Sequence, residues 1–285
     1  MSLRIGKNKG KSKYFNFLVN NKMKNFLKFI FIFSFIFIFS TTSSIQAKES
    51  NVSLLKPNWT FNGFFGKFDR AQLQRGYQVY KEVCASCHSM SLLSYRNLAE
   101  PGGPEFSEAE VKALAAQYEI QDGPNADGEM FTRKGLPSDR FKSPYPNELA
   151  SRAANGGAYP PDMSVLVKAR PGEADYIYSV LMGYEEKVPA NIKLEDGVYY
   201  NKYMSGNKIR MAKPLNSGGV EYADGTKATE EQMAKDVVSF LTWAAEPHLE
   251  ARKKLGFKSV IYLLILTILV YLLKKKIWSR IESKV

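Results

Sequence analysis

Apolar side chains recur at helical spacing in four stretches of the chain between positions 69 and 246. In the first stretch, Leu73, Tyr77 and Tyr80 form one stripe. The stripe follows Asp69, a residue type that caps helix N-termini. Two later stretches begin with a capping-box pattern, a Ser or Thr followed three residues later by Glu or Gln. The predicted helices cover 69–83, 107–118, 172–182 and 229–246, and Pro247 ends the last one.

The segments between these helices are rich in Gly, Pro and Asn, most of all 121–125 and 155–161. These residue types favour turns and irregular chain. Gly76 lies in the first predicted helix and is small enough to let a second helix approach closely. The pattern therefore predicts a mainly α domain with long loops.

Two uninterrupted apolar runs stand outside this domain. The first, at 29–39, follows a Lys-rich stretch and is followed by small polar residues that end at Ala47. This order is typical of a secretory signal peptide, and we predict bacterial export with 1–47 removed after Ala47. An uncleaved membrane anchor is the alternative.

The second run, at 259–273, lies between a basic flank at 251–258 and a tail at 274–285. Residues 255–273 reach roughly 28 Å at 1.5 Å per residue, close to the thickness of a hydrocarbon core. Lysines bracket the run, which favours a single transmembrane helix over a buried core helix. Export of 48–250 would place this domain in the periplasm, on the bacterial inner membrane, with the tail in the cytoplasm.

Charge is spread unevenly along the chain. The formal net charge is +12, but eight basic residues lie in 1–47 and nine in 251–285. Positions 48–250 keep 23 basic and 27 acidic residues, a net charge of −4. A basic groove for nucleic acid is therefore not expected. The mild acidity suits a basic protein partner and is equally compatible with an ordinary solvated surface.

The strongest chemical signal is the run Cys84-Ala-Ser-Cys87-His88, which has the Cys-x-x-Cys-His spacing of c-type haem attachment. The thiols bond to the haem vinyl groups and the histidine binds the iron. A redox dithiol, a structural disulfide and half of a zinc site share part of this spacing. The chain holds two cysteines, and its other histidine is His248, so tetrahedral zinc lacks dedicated ligands. One haem c also suits a domain with long loops, because the cofactor supplies part of the core.

The second axial ligand decides between chemistry at an open iron and electron transfer. His248 follows the last predicted helix and is interpreted as a surface residue. Met90 is too near His88 in the chain to reach the opposite face of a haem, and Met182 and Met233 lie on helical stripes. The remaining candidates are Met130, Met163, Met204 and Met211, of which spacing alone leaves Met163 and Met211 near parity.

Four longer motifs stand around these residues. They are Arg-Gly-Tyr-Gln-Val-Tyr at 75–80, Gln-Asp-Gly-Pro-Asn at 121–125 with Asp-Gly-Glu-Met-Phe at 127–131, Arg-Ala-Ala-Asn at 152–155 with Pro-Pro-Asp at 160–162, and Phe-Leu-x-Trp-Ala-Ala-Glu-Pro at 240–247. Together they resemble the cytochrome c1 family, the membrane-anchored c-type haem subunits of ubiquinol:cytochrome c oxidoreductase. The resemblance covers roughly residues 60–280.

The resemblance implies a class I cytochrome c-like haem domain, mainly α, followed by one C-terminal transmembrane helix. It implies His88 and Met211 as iron ligands, Met163 as a packing residue and Arg152 as a partner of a haem propionate. It also implies an electron relay from a Rieske iron–sulfur protein to a cytochrome c, within a dimeric complex that contains a cytochrome b subunit. No bond-making chemistry of its own is expected of the chain.

Three other functions share part of this pattern. A haem peroxidase would need an open iron with a distal acid or base, a stand-alone anchored cytochrome c would work outside the quinol-oxidising complex, and a thiol oxidoreductase would need a strand-then-helix setting for its cysteines. Four acidic side chains in and beside the second predicted helix could steer a basic cytochrome c towards the haem. They are Glu105, Glu108, Glu110 and Glu119.

Overall fold

The computed structural model describes residues 52–282. The helices in this range are α1 Arg70–Glu82, α2 Glu108–Ala115, α3 Glu148–Ala154, α4 Glu173–Met182, α5 Glu230–Ala245 and α6 Leu249–Glu282. Four short strands accompany them: β1 Glu119–Asp122, β2 Phe131–Lys134, β3 Tyr199–Tyr200 and β4 Lys208–Ile209. The mainly α fold with long loops is confirmed. The predicted signal peptide 1–47 and its cleavage site lie outside the described residues.

The core is organised around the contact between α1 and α5. Helix α1 begins as predicted, with the Asp69 side chain accepting a hydrogen bond from the Gln72 amide at 3.2 Å. Gly76 lies where the two helices touch, and a Cβ atom there would come within 2.1 Å of the Asp236 carbonyl oxygen. The close helix approach predicted from Gly76 is therefore confirmed.

The capping box predicted at the start of α5 forms only in part. The Thr229 hydroxyl accepts from the Gln232 amide at 3.1 Å, as expected. The Gln232 side chain, however, donates to the buried Asp236 carboxylate at 2.9 Å, and Arg75 donates to the same carboxylate at 3.0 Å. A buried carboxylate requires donors. The Gln232 side chain therefore binds Asp236 and not the backbone amide of Thr229, its partner in a complete capping box.

Helix α2 is shorter than predicted. Its capping box is complete, because Ser107 and Glu110 exchange side-chain and backbone hydrogen bonds. The helix ends at Ala115, three residues before the predicted end at Tyr118. The Tyr118 carbonyl instead accepts from the Gly135 amide at 2.8 Å and starts the pairing of β1 with β2. Pairing across the sheet thus replaces the last helical turn.

Helix α3 and the two small antiparallel sheets were not predicted. Strand β1 pairs with β2, and β3 pairs with β4. Elements of two to seven residues are too short for hydrophobic periodicity to reveal. In the first sheet Arg133 forms an ion pair with Asp139 at 2.6 Å and another with Asp122, so side-chain charge holds these strands together.

A cluster of aromatic rings packs against α1. Tyr77 and Tyr80 from this helix meet Phe240 of α5 with ring centroids 5.7 and 5.9 Å apart. Phe141 lies 6.0 Å from Tyr80 and 4.7 Å from Tyr95, which extends the cluster into the loop region. These separations are typical of favourable ring pairs. The cluster therefore provides a rigid support for the end of α1, where the Cys-x-x-Cys-His run begins.

Helix α6 contains the predicted transmembrane segment. Its residues Leu249–Ser279 are long and apolar enough to cross a membrane, and none of the most apolar window is buried against the rest of the described chain. The basic flank and the described part of the tail continue the same helix on either side of 259–273. The arrangement is consistent with a membrane-anchored protein.

Candidate haem site

The two cysteines and the histidine of the motif are gathered by one tight turn at the end of α1. Residues Cys84–Ser86 form a 3-10 turn, and the Cys84 carbonyl accepts from the amides of Cys87 at 3.1 Å and His88 at 2.9 Å. Both cysteines are free thiols and half-buried, whereas His88 is buried. The turn therefore presents two thiols and an imidazole next to one another.

The His88 ring is fixed through one of its nitrogens. Its Nδ1 lies 2.8 Å from the carbonyl oxygen of Pro161. Because a carbonyl only accepts, Nδ1 carries the proton, which leaves Nε2 for a metal. Burial lowers the pKa of His88, although the bond to Pro161 opposes this effect. The histidine is thus held neutral and oriented, the state in which it can bind iron.

Asp162 holds the Pro161 loop against the chain that follows His88. Its Oδ2 accepts from the Ser89 hydroxyl at 2.8 Å and from the Ser91 amide at 2.9 Å, while Oδ1 accepts from the Ser164 amide at 2.8 Å. Burial opposes ionisation of this carboxyl, but the hydrogen bonds outweigh it and lower the pKa of Asp162 to about 2. Asp162 therefore positions the carbonyl that orients His88.

The structure weakens each alternative for the cysteine pair. Both thiols are free, and burial together with Cys87 raises the pKa of the Cys84 thiol to about 12. A redox dithiol needs a lowered thiol pKa. Within residues 52–282, no group of three or more His, Cys, Asp or Glu side chains is arranged to hold a metal ion.

Met211 lies in the loop after β4, half-buried. Its carbonyl accepts from the Tyr184 hydroxyl at 3.0 Å. The neighbouring Arg210 donates to the Gly156 carbonyl at 3.3 Å, in the same loop that carries Pro161. The bond between Arg210 and Gly156 thus joins the loop that carries Met211 to the loop that orients His88.

The other candidate ligands occupy different surroundings. Met163 is buried in the core, and its amide donates to the Ser89 carbonyl at 2.8 Å, one residue from His88. Met130 is 56% exposed, and Met204 accepts from the Tyr176 hydroxyl at 3.4 Å. His248 is exposed, as its interpretation as a surface residue expects.

Arg152 is exposed on α3. Its guanidinium pairs with Glu148 one turn earlier at 2.7 Å, donates to the Gly157 carbonyl at 3.1 Å and lies 5.5 Å from the centre of the Tyr159 ring. The bond to Gly157 places Arg152 beside the loop that also binds Arg210. Its contact with a haem propionate stays a prediction.

Comparison with known proteins decides the family. The model of the cytochrome C1 family matches residues 59–281 of this chain. The chain belongs to the cytochrome c1 family. Membership supports a haem-bearing electron-transfer subunit of the bc1 complex as its role and confirms the resemblance seen in the sequence motifs.

Individual members of the cytochrome c1 family are close in sequence. The chain is 49% identical to cytochrome c1-2, heme protein, mitochondrial, of Solanum tuberosum, over 86% of this chain and 93% of the relative. It is 46% identical to cytochrome c1 of Rhodospirillum rubrum, over 83% and 92%. It is 51% identical to cytochrome b/c1 of Bradyrhizobium diazoefficiens over 83% of this chain, but it spans 37% of that protein's length.

The side chains present fit the c-type haem that the cytochrome c1 family implies. Cys84 and Cys87 supply two unpaired thiols on one turn. His88 supplies an imidazole whose second nitrogen is already engaged by Pro161. A thioether ligand is available from Met211. This donor set matches covalent attachment with a His and Met ligand pair.

Sequence reasoning missed the residues that hold the site together. The Pro161 carbonyl orients His88, and the Asp162 carboxylate accepts from Ser89. The Tyr184 hydroxyl donates to the Met211 carbonyl. Such contacts join positions up to 73 residues apart and leave no periodic pattern. The Pro-Pro-Asp run at 160–162 is part of a motif that resembles the cytochrome c1 family, and it is the signal in the sequence that points to two of these residues.

Proposed function

We propose that this chain accepts electrons from a Rieske iron–sulfur protein and passes them to a cytochrome c, within a dimeric complex that contains a cytochrome b subunit. The bound haem c would supply the one-electron carrier for this relay. The observation that carries the proposal is the bond from His88 to Pro161 beside two free thiols, in a chain of the cytochrome c1 family.

Cys84 and Cys87 would attach the cofactor, and His88 would hold its iron. The Cys84 carbonyl accepts from the amides of Cys87 and His88, so all three residues lie within one turn of chain, with His88 two residues beyond Ser86. The bond of Nδ1 to Pro161 frees Nε2 and prevents the ring from rotating. Attachment and ligation therefore involve one short, rigid segment.

Met211 is the better candidate than Met163 for the second axial position. An axial pair must approach the iron from opposite faces. Met163 is bound through its amide to Ser89, so its segment shares the side of the site that His88 occupies. Met211 comes from a separate loop, after β4, that reaches the Pro161 loop through Arg210. Met211 would hold the iron together with His88, and a Met ligand would favour the reduced state and a high potential.

Arg152 would stabilise a haem propionate. It lies beside the Gly157 carbonyl, four residues before Pro161. Removing a nearby positive charge disfavours the reduced iron, so Arg152→Gln should lower the reduction potential by tens of millivolts, corresponding to roughly 1 kcal/mol of Coulomb energy. An unchanged redox titration would exclude this role.

The location we propose is the bacterial inner membrane, with the haem domain in the periplasm and the tail in the cytoplasm. Helix α6 supports anchoring by its length and apolar surface.

Fewer of the four acidic side chains are available to a protein partner than the sequence suggested. Glu105 pairs with Arg70 at 2.9 Å, and Glu110 closes the cap of α2. Glu108 and Glu119 are exposed and would steer a basic cytochrome c.

The test measures cofactor attachment and ligand closure in the same preparations. Wild type expressed with a haem-attachment system should carry haem that survives denaturation, while Cys84→Ala and Cys87→Ala should each lose attachment through one thiol. Reduced wild type should not bind carbon monoxide. Binding of carbon monoxide by the reduced wild type would favour an open-site haem enzyme, and purification without a b-type haem and an iron–sulfur subunit would favour a stand-alone carrier.

A further inference from the structure

A tight loop before α1 exposes two aromatic side chains at its tip. The Lys67 amide donates to the Thr60 carbonyl at 3.0 Å, which closes the loop. Phe64 is 57% exposed and Phe65 is 76% exposed. The aromatic residues on either side of the tip, Trp59, Phe61 and Phe68, are buried instead. Large exposed apolar side chains grouped in this way mark an interaction surface.

The loop is fastened to the first turns of α6. The Lys253 ammonium donates to the Phe61 carbonyl at 2.6 Å and to the Gly66 carbonyl at 3.3 Å. Glu250 of the same helix accepts from the Phe68 amide at 2.9 Å. The loop therefore keeps a fixed position along the axis of α6.

This position is where the apolar span of α6 begins. The rings of Phe64 and Phe65 each lie 5.9 Å from the ring of Phe257, and 5.0 Å from one another. Phe257 precedes Ser259, where the predicted span begins, by two residues, or about 3 Å of helix. The three rings consequently lie at the level where an acyl region would meet its headgroups.

Three lysines lie within three residues of these rings along the chain. Lys67, Lys254 and Lys258 are exposed, and none of them takes part in an ion pair with a described residue. Aromatic side chains beside free lysines are the combination by which proteins bind the surface of an anionic bilayer. A protein partner would have to cover the lysines as well as the rings at the membrane boundary.

We propose that the Phe64-Phe65 loop inserts into the outer surface of the lipid bilayer and is a second membrane contact of the haem domain, beside α6. The rings enter the boundary between headgroups and acyl chains, and the lysines face anionic headgroups. Because the domain is fastened to α6, this contact limits the tilt of the domain and the helix together relative to the membrane surface.

The test uses the haem-loaded full chain in its assembled complex, placed in nanodiscs of phosphatidylcholine and phosphatidylglycerol. A nitroxide is attached at Phe65→Cys, and its collision rates with oxygen and with a water-soluble nickel complex are compared. Leu149→Cys, 80% exposed on α3, is the control for the water phase, and Leu263→Cys is the reference inside the span. Unmodified complex gives the background from the native cysteines.

We expect the ratio of oxygen to nickel collisions at position 65 to exceed that at position 149 severalfold and to approach that at 263. A ratio equal to that at 149 would place the loop in water and overturn the proposal. Low collision rates with both agents would show that a neighbouring protein covers the loop, which also overturns it. An unchanged haem spectrum in Phe65→Cys verifies that the variant is folded.

Discussion

At the scale of single residues, the site depends on side chains that orient others. His88 was identified from its place in the motif, and the hydrogen bonds of Asp162 show how it is held. The motif could predict His88 because covalent chemistry demands adjacent residues. Asp162 acts on a segment more than 70 positions away, so chain spacing carries no record of its role.

Asp162→Asn should remove stability that depends on pH. The pKa of Asp162 is about 2 in the folded chain, below its usual value near 4, so its contribution is complete above pH 4 and is lost as pH falls to 2. The contribution is about 1–2 kcal/mol. Thermal unfolding of wild type and variant should differ at pH 7 and converge towards pH 2.

A matched control is Asp127→Asn, because Asp127 is exposed in the loop between β1 and β2. This variant should melt with wild type at every pH. If Asp162→Asn also melted with wild type at pH 7, the claim that Asp162 fastens the Pro161 loop would fail.

At the scale of elements, the long helices followed from periodicity and capping. The sequence correctly located α1, α4 and α5, because each buries one apolar stripe. It gave no sign of α3 or the two-stranded sheets, which are held by loop contacts and by ion pairs such as that of Arg133 with Asp122. The predicted end of α2 at Tyr118 was wrong, because the Tyr118 carbonyl accepts from the Gly135 amide beside the first sheet.

Gly76→Ala should separate α1 from α5. The added methyl group would meet the Asp236 carbonyl at 2.1 Å, and backbone cannot move as a flexible side chain can. Overpacking of this kind costs about 1–3 kcal/mol or more. We expect a clear fall in the thermal midpoint, measured by circular dichroism on the full chain in detergent.

Gly256→Ala is the control for helix propensity. Gly256 lies in α6 with nothing within 4 Å of its Cβ position. Alanine there should leave stability unchanged or raise it slightly. Equal melting of the two variants would contradict the close contact of α1 with α5.

At the scale of the whole molecule, the haem domain and its anchor meet at the first turns of α6. Arg70 of α1 pairs with Glu250 at 2.7 Å, and Leu249 is buried in the core. From Lys254 to Ser279 every residue of the helix is exposed in the described chain. Hydrophobicity predicted the span, but it could not show that the helix begins inside the soluble domain.

A chain that stops after Lys254 should therefore remain folded. It keeps Leu249, Glu250 and Lys253, and it loses side chains that contribute little to the core. We expect a water-soluble domain whose thermal midpoint lies within about 4 °C of the full chain, a difference of roughly 1 kcal/mol. A chain that stops after Pro247 loses those contacts and should melt much lower. A thermal midpoint of the longer fragment as low as that of the shorter one would contradict this division.

The central claim is that His88 and Met211 form the axial pair of a c-type haem. The most direct measurement is the near-infrared methionine-sulfur-to-iron charge-transfer band of the oxidised holoprotein, compared in wild type, Met211→Leu and Met163→Leu. We predict that the band is present in wild type and Met163→Leu and absent in Met211→Leu. Its persistence in Met211→Leu, or its absence from wild type, would contradict the account.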